Sequence, residues 1–169
     1  FFFFFSMSVT SSASLEKGAV APDFTLDASL AGKQYSYSLK SALEKGPVVV
    51  YFYPSAYTNG CNLQAKTFAD HLEKFSDAGA SVVGVSLDSI ERLNEFSADP
   101  EFCGGKVTVA SDPSGKVAKS YDLHVREASE GKVDSRGKPL NHGFAERTTF
   151  VISQDGHIVD TISAVSPVD

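Results

Sequence analysis

The sequence predicts an α/β domain in which a mixed sheet is covered by helices on both sides. Three observations carry this expectation. Apolar runs alternate with segments of helical periodicity, residues 48–53 (VVVYFY) are apolar without interruption, and two strand-like segments near the end are joined by Gln-Asp-Gly. A strand that is apolar on both faces needs cover on both faces, and helices supply it. The chain has 169 residues, 42% of them apolar and 13 of them phenylalanine, enough for the core of one domain.

Taken in order, residues 24–26 and 34–39 flank DASLAGK, a polar, glycine-containing link that suits an N-terminal hairpin. Residues 48–53 form the central strand. Residues 61–78 place Leu63, Phe68, Leu72 and Phe75 largely along one helical face and end at Asp-Ala-Gly, which predicts the first long helix. Residues 81–87 (SVVGVSL) read as a second buried strand. Residues 89–98 read as a helix with Ile90, Leu93 and Phe96 at helical spacing, stopped by Asp99-Pro100. A short strand over 106–110 and a helix over 114–121, with Val117, Ala118 and Tyr121 on one side, come next. Residues 124–146 lack apolar periodicity, and a loop of this length in a compact domain is a functional, mobile or interaction element. The simplest expectation for it is a solvated insertion. Residues 147–153 and 157–163 are then two strands of a hairpin. No internal repeat or second domain is apparent.

The formal charge of −6 and pI near 5.2, without a Lys/Arg cluster, argue against nucleic acid or an anionic membrane as the main partner. A small neutral substrate or another protein is expected instead. The opening FFFFFSMSVTSSAS has no basic region, and its apolar stretch is shorter than the roughly 7–15 residues of a secretory signal. Met7 is the only methionine, so the natural start is expected there, with residues 1–6 extraneous and residues 1–14 disordered. No stretch approaches the ~18 apolar residues of a membrane span. Two cysteines are too few for a secreted disulfide framework, so a soluble cytoplasmic protein is expected.

The chemistry concentrates in YPSAYTNGC, residues 53–61. Ligand sites of α/β sheets collect beyond the carboxyl ends of strands. Pro54 has no N–H for the sheet ladder and ends strand pairing, while Thr58, Asn59 and Gly60 offer turn and helix-cap chemistry. Cys61 then falls in the first helical turn. Free N–H groups and the positive end of the helix dipole there favour a thiolate over a thiol. The competing reading is a buried, inert cysteine. Its place after a strand and before a helix favours a reactive one.

Pro54-x-x-x-Thr58-x-x-Cys61 after a valine-rich strand ending YFYP resembles the active-site signature of the peroxiredoxins. FYP before it and Gln64 after it are most similar to the bacterioferritin-comigratory, or peroxiredoxin Q, branch. APDFTL, VVGVSLDS, ASDPSGKVAKSYDL and ERTTFVISQDGHI follow the same order, so the resemblance spans residues 18–163. It implies a thioredoxin-like fold with an added N-terminal hairpin and a thiol-dependent peroxidase, with no cofactor and no metal. It makes Cys61 the peroxidatic cysteine, with Pro54 and Thr58 shaping its pocket and Arg147 brought in from a distant strand. On local sequence alone, Arg147 would form a surface ion pair with Glu146 or Glu127. Its implied partners are hydrogen peroxide or an alkyl hydroperoxide and thioredoxin or another thiol reductant, on a monomer or weak homodimer. Asn59 stands where the branch commonly has proline. The sequence ends at SAVSPVD where the family usually adds a closing helix, so one domain over 15–169 lacking that helix is expected.

An unperturbed thiol is about 3% thiolate at pH 7, so full ionisation accelerates it at most ~30-fold, about 2 kcal/mol. A lower pKa also weakens the nucleophile. Most of the rate must therefore come from holding the peroxide in line with sulfur and stabilising charge as the O–O bond breaks. The Thr58 hydroxyl, the Cys61 backbone N–H and the Arg147 guanidinium are donors of the right kind. A sulfenic acid would remain on Cys61.

Many members of the branch place a resolving cysteine five residues after the first, where this chain has Lys66. Cys103, in DPEFCGGK, is the one other thiol, in a region where another subset of the branch has its resolving residue. The adjacent glycines would let the segment unwind to bring the two sulfurs to bonding distance. The competing reading is a cysteine packed beside Phe102, with an external thiol reducing Cys61. Two rival functions also stand: a disulfide oxidoreductase of the thioredoxin type, and a noncatalytic binding module of that fold. The first needs Cys-x-x-Cys, and Thr58 occupies the first cysteine's place. His71, His124, His142 and His157 are scattered without zinc-ligand spacing and read as surface or packing residues. No Gly-x-Ser-x-Gly elbow is present.

Overall fold

In the computed structural model of the chain, residues 14–128 and 130–163 are described. Residues 1–13 of the opening segment and the place of the missing closing helix, 164–169, lie outside that range, while Ser14, the last residue of that segment, is described and buried. Among the described residues a seven-stranded mixed sheet forms the centre, its strands lying side by side in the order 33–38, 25–30, 108–111, 81–86, 48–52, 148–152 and 158–163. The expected class, an α/β domain of the thioredoxin-like kind with an added N-terminal hairpin, is what the chain adopts.

The hairpin pairs β1 (Thr25–Leu30) with β2 (Lys33–Ser38) in antiparallel register. Its turn is only Ala31-Gly32, both left-handed at φ 54° and 77°. The expected link DASLAGK is thus mostly strand. A two-residue turn with positive φ matches the strand twist, so pairing continues to Leu30↔Lys33. Helix α1 (Leu39–Glu44), which sequence periodicity did not predict, starts where Ser38 Oγ accepts the Ser41 N–H. It buries Leu39 and Leu43.

β3 (Val48–Phe52) is the expected central strand, buried at every position. It runs parallel to β4 (Ser81–Ser86) and antiparallel to β8 (Thr148–Ile152). Beyond β4, β5 (Thr108–Ser111) pairs in parallel, and beyond β8, β9 (Ile158–Ser163) pairs antiparallel. Alternation along β3 splits the core in two. Val48, Val50 and Phe52 join Leu39 and Leu43 of α1 and Ala118 of α5 (Lys116–Ser120). Val49 and Tyr51, with Tyr53 just past the strand, join Ala65 and Ala69 of α2 (Asn59–Asp70) and Leu93 and Phe96 of α4 (Ile90–Ala98). Both cysteines lie in this second layer.

The predicted helix over 61–78 is two helices, α2 and α3 (Leu72–Asp77). The chain tightens at His71, whose N–H is shared between the carbonyls of Thr67 and Phe68 and whose Nδ1 lies 2.8 Å from Thr67 O. Leu63, assigned to the apolar face, is exposed. The 124–146 segment departs furthest from expectation. Within it β6 (Val125–Arg126) pairs with β7 (Phe144–Ala145), and Asp134, Leu140 and Phe144 are buried. Asp134 turns inward to Arg92 of α4, Arg136 reaches Glu95 of the same helix, and His142 reaches Asp88.

Candidate active site

Cys61 is the third residue of α2, with Thr58 at the N-cap. The first amide to find an intrahelical acceptor is Asn62, 2.7 Å from Thr58 O. The Cys61 N–H precedes it and has no partner within the helix. The thiol is nearly enclosed, at 2% exposure. Only a small or narrow reactant reaches a sulfur so placed.

Arg147, immediately before β8, crosses 86 positions of sequence to place Nη2 3.1 Å from Cys61 Sγ. The antiparallel pairing of β8 with β3, ending at Phe52↔Thr148, puts Arg147 at the end of the sheet where β3 runs into Pro54. Its Nη1 donates to Gln64 Oε1, one helical turn beyond Cys61. The guanidinium is held by a neutral amide at Nη1 and points Nη2 at sulfur. The ion pair with Glu146 or Glu127 suggested by local sequence does not form; among the described residues Arg147 has no carboxylate partner. Glu146 instead accepts from the His124 N–H.

Thr58 differs in detail from expectation. It caps α2 by position only, and its hydroxyl donates to Ser55 O at 2.8 Å. With that proton engaged, Thr58 Oγ1 offers a lone pair, so it can accept from a peroxide O–H but not donate to one in this geometry. Pro54 sits at the bend that leaves β3, partly buried.

Cys103 is fully buried in the turn between α4 and β5, and both cysteines are free thiols. Burial, with the nearby Asp99 charge, pushes the Cys103 thiol up to about 12. Gly104 and Gly105 are left-handed at φ 58° and 70°. The Tyr51 hydroxyl lies in the same layer, close enough to both cysteines to be raised by them after burial has pushed it well above the usual tyrosine value.

Sequence reasoning missed the polar cluster beneath the 53–61 loop. The Asp88 side chain, fully buried, accepts the Ala56 N–H at 2.8 Å, Ser86 Oγ at 2.6 Å and Arg92 Nε at 2.8 Å. Arg92 also donates to Ala56 O at 2.6 Å and reaches Asp134 Oδ2 at 2.7 Å. The Ser135 N–H donates to Tyr57 O at 2.7 Å, and Arg136 stacks 3.4 Å over the Tyr57 ring. These bonds fix both polar backbone atoms of Ala56 and hold Tyr57 in the left-handed region at φ 60°, a conformation costly for a bulky residue. His142, expected at the surface or in packing, lies 2.9 Å from Asp88 Oδ1 with a side chain only 15% exposed. Burial alone would push the Asp88 carboxyl up, but the bond to and charge of His142, then Ser86 and Ala56, hold it below the usual carboxylate value. The available signals were Asp88 and Arg92 at i,i+4 and the charge density of residues 130–138.

A groove of about 790 Å³ runs beside this loop between α2, the Cys103 turn and residues 135–136, lined by Asn62, Lys66, Phe102 and Arg136 among others. A smaller hollow of about 600 Å³ between Val20, Leu43 and Gln154 adjoins no thiol.

Known proteins share both fold and sequence. The AhpC/TSA family model matches residues 17–161. The peroxiredoxin bcp of Helicobacter pylori strain J99 is 36% identical over 142 residues, 84% of each chain. The chloroplastic peroxiredoxin Q of Sedum lineare is 41% identical over 111 residues, 66% of this chain and 56% of that one. The crystal structure of peroxidoxin BcpB from Mycobacterium tuberculosis superposes with a TM-score of 0.72 at 32% identity, covering 90% of this chain and 89% of that one. A guanidinium aimed at a helix-start cysteine thus occurs in a chain that, over most of its length, belongs to the AhpC/TSA family and its bcp/peroxiredoxin Q branch, whose members are thiol-dependent peroxidases.

Proposed function

We propose that Cys61 is the residue oxidised by peroxide, with Arg147, the Cys61 N–H and Thr58 as the groups that bind and polarise it. The observation that carries this reading is the 3.1 Å contact between Arg147 Nη2 and Cys61 Sγ. The Cys61 thiolate attacks one oxygen of hydrogen peroxide or an alkyl hydroperoxide. The S–O bond forms as the O–O bond breaks, sulfur is oxidised to sulfenic acid, and the departing oxygen leaves as water or alcohol after taking a proton. Negative charge shifts from sulfur to oxygen during this step. Donors that already face sulfur, with no reorganisation to make, stabilise both ends of that shift. Thr58 Oγ1, its own proton held by Ser55 O, accepts the peroxide O–H and orients it. Pro54 keeps solvent from the intermediate.

Cys103 then resolves the sulfenic acid. Its sulfur attacks Cys61 sulfur, an S–S bond replaces the S–O bond, and water leaves; thioredoxin or another thiol reduces the disulfide. A buried thiol with a raised pKa is a poor nucleophile in place, so the Asp99–Lys106 turn must open first, about its left-handed glycines.

Peroxide consumption with dithiothreitol tests the first step. Cys61→Ser should abolish it, and Arg147→Ala should lower the second-order rate constant about 10²-fold, the usual effect of removing one preorganised charge donor. Turnover within a few-fold of wild type in Arg147→Ala would sink the assignment. Mass spectrometry after one equivalent of peroxide tests the second: loss of two hydrogens supports Cys103, whereas a lasting sulfenic acid on Cys61 means that an external thiol acts directly.

A further inference from the structure

The buried cluster under the 53–61 loop contains a histidine whose two nitrogens both face acceptors. His142 Nδ1 lies 2.6 Å from Gly143 O, and Nε2 lies 2.9 Å from Asp88 Oδ1 and 3.1 Å from Ser55 Oγ. A carbonyl and a carboxylate only accept. A neutral imidazole has one N–H, so either tautomer would press a nitrogen lone pair against one of these oxygens. Moving the proton to Asp88 would discharge a carboxylate that Ala56, Ser86 and Arg92 stabilise as an anion, and a Ser55 hydroxyl turned to Nε2 would still leave Asp88 Oδ1 against a bare lone pair. The doubly protonated ring donates to both acceptors with Asp88 ionised.

The surroundings agree. Asp88 faces the ring from the β4–α4 junction and Arg92 from α4, and Arg92 links Asp88 to Asp134 and Arg136 of the ring's own segment, with Glu95 and Lys138 beyond them. Phe144 packs at 5.2 Å, and the buried Tyr53 hydroxyl is within range of the Asp88 charge. With His142 charged, four cations, His142, Arg92, Arg136 and Lys138, meet the three carboxylates of Asp88, Asp134 and Glu95. Without that charge, Arg92 alone remains in charged contact with a fully buried Asp88.

We propose that His142 is a titratable positioning residue: its protonated ring clamps the 124–146 segment to Asp88 and Ser55, and thereby holds the loop that carries Pro54, Tyr57 and Thr58 in its peroxide-reactive shape. The proposal rests on Cys61 being the oxidised residue. Burial works against the charged ring, but the hydrogen bond and charge of Asp88, with the Gly143 carbonyl, outweigh it and raise His142 above its ordinary value. The clamp is therefore complete below that ordinary value and is lost as pH rises through the raised one. Thiolate formation has the opposite slope. The rate per thiolate should fall as pH rises through the His142 midpoint.

Histidine-ring NMR of the full chain, with the His142 signal identified by its absence in His142→Gln, should give a midpoint above about 6.5. A midpoint at or below that value overturns the proposal. Stopped-flow oxidation by hydrogen peroxide, with rates divided by the measured thiolate fraction, should fall about ten-fold through the His142 midpoint in wild type, the scale of a misplaced contact rather than a lost reacting group. The same quantity should be flat in His142→Gln. A flat wild-type profile, or a descending limb that survives in the variant, rejects the clamp. Amide exchange at Ala56, corrected for its intrinsic pH dependence, should accelerate about ten-fold through the same midpoint in wild type, since its acceptor is Asp88. Unchanged protection there also rejects it. If Cys61 proves unreactive, the catalytic assignment fails, while the NMR and exchange measurements still decide whether the clamp exists.

Discussion

Cys61 and Cys103 share one apolar layer yet face different surroundings, and that difference supports the proposed order of their reaction. Cys61 has a cationic donor at 3.1 Å; Cys103 is fully enclosed and raised to about 12, which leaves about 10⁻⁵ of it ionised at pH 7. In the folded, reduced protein, iodoacetamide should therefore modify Cys61 at least about 10²-fold faster than Cys103, with the two converging in denaturant, as peptide mapping over time would show. Equal native rates would mean that the Cys103 turn is already open. Tyr51 gives a second residue-scale test. Among the described residues its buried hydroxyl has no hydrogen-bond partner, so removing it deletes an unsatisfied polar group without creating one. Tyr51→Phe should change stability by less than about 1 kcal/mol, or increase it. A larger loss by urea titration would show that the hydroxyl is bonded in solution.

At the scale of elements, the site depends on the register of β3 against β4 and β8. Tyr51 pairs with Gly84 in the parallel ladder and lays its ring over the glycine. A Cβ at Gly84 would lie 2.5 Å from Tyr51 Cζ and 2.6 Å from its hydroxyl oxygen. The ring cannot swing aside freely, because Phe68 stacks on it at 4.5 Å and Tyr53 at 5.4 Å. Gly84→Ala should cost about 1–3 kcal/mol by overpacking. It should also displace α2 through Phe68, and hence Cys61. Urea denaturation measures the first effect and peroxide turnover the second; an unchanged midpoint would show that the ring has room to move. Pro54 can end β3 because the parallel ladder is almost finished there, with the Tyr53 N–H still bonded to Val85 O at 3.1 Å.

Over the whole molecule, the Asp88–His142 pair joins three parts of the chain that are distant in sequence, so global stability should follow its titration. Asp88 is held below its ordinary value, and its contribution is present above that value and lost as pH falls through the lowered one. His142 is raised, and its contribution is present below about 6.5 and lost as pH rises through the higher value. The urea midpoint should form a plateau in mildly acidic solution and decline on both sides. In His142→Gln the alkaline decline should disappear. A wild-type midpoint that rises between about pH 6 and about pH 9 would contradict the pairing.

The sequence by itself determined the layered α/β fold and the place of Cys61. Both follow from local rules: alternation along residues 48–53 demands cover on two faces, and Pro54 followed by Thr58-Asn59-Gly60 ends a strand and starts a helix. The break of the long helix at His71 and the short helix Leu39–Glu44 escaped it, because six-residue helices owe their stability to packing more than to periodicity. Only the tertiary structure decided the partners of Arg147 and the role of the 124–146 segment. Read locally, that segment is a polar loop and Arg147 a neighbour of Glu146. Folded, Arg147 turns to Gln64 and Cys61, and His142 and Asp134 become counter-charges for Asp88 and Arg92. Charge pairing acts through space and leaves no period in the chain, whereas burial of an apolar face does.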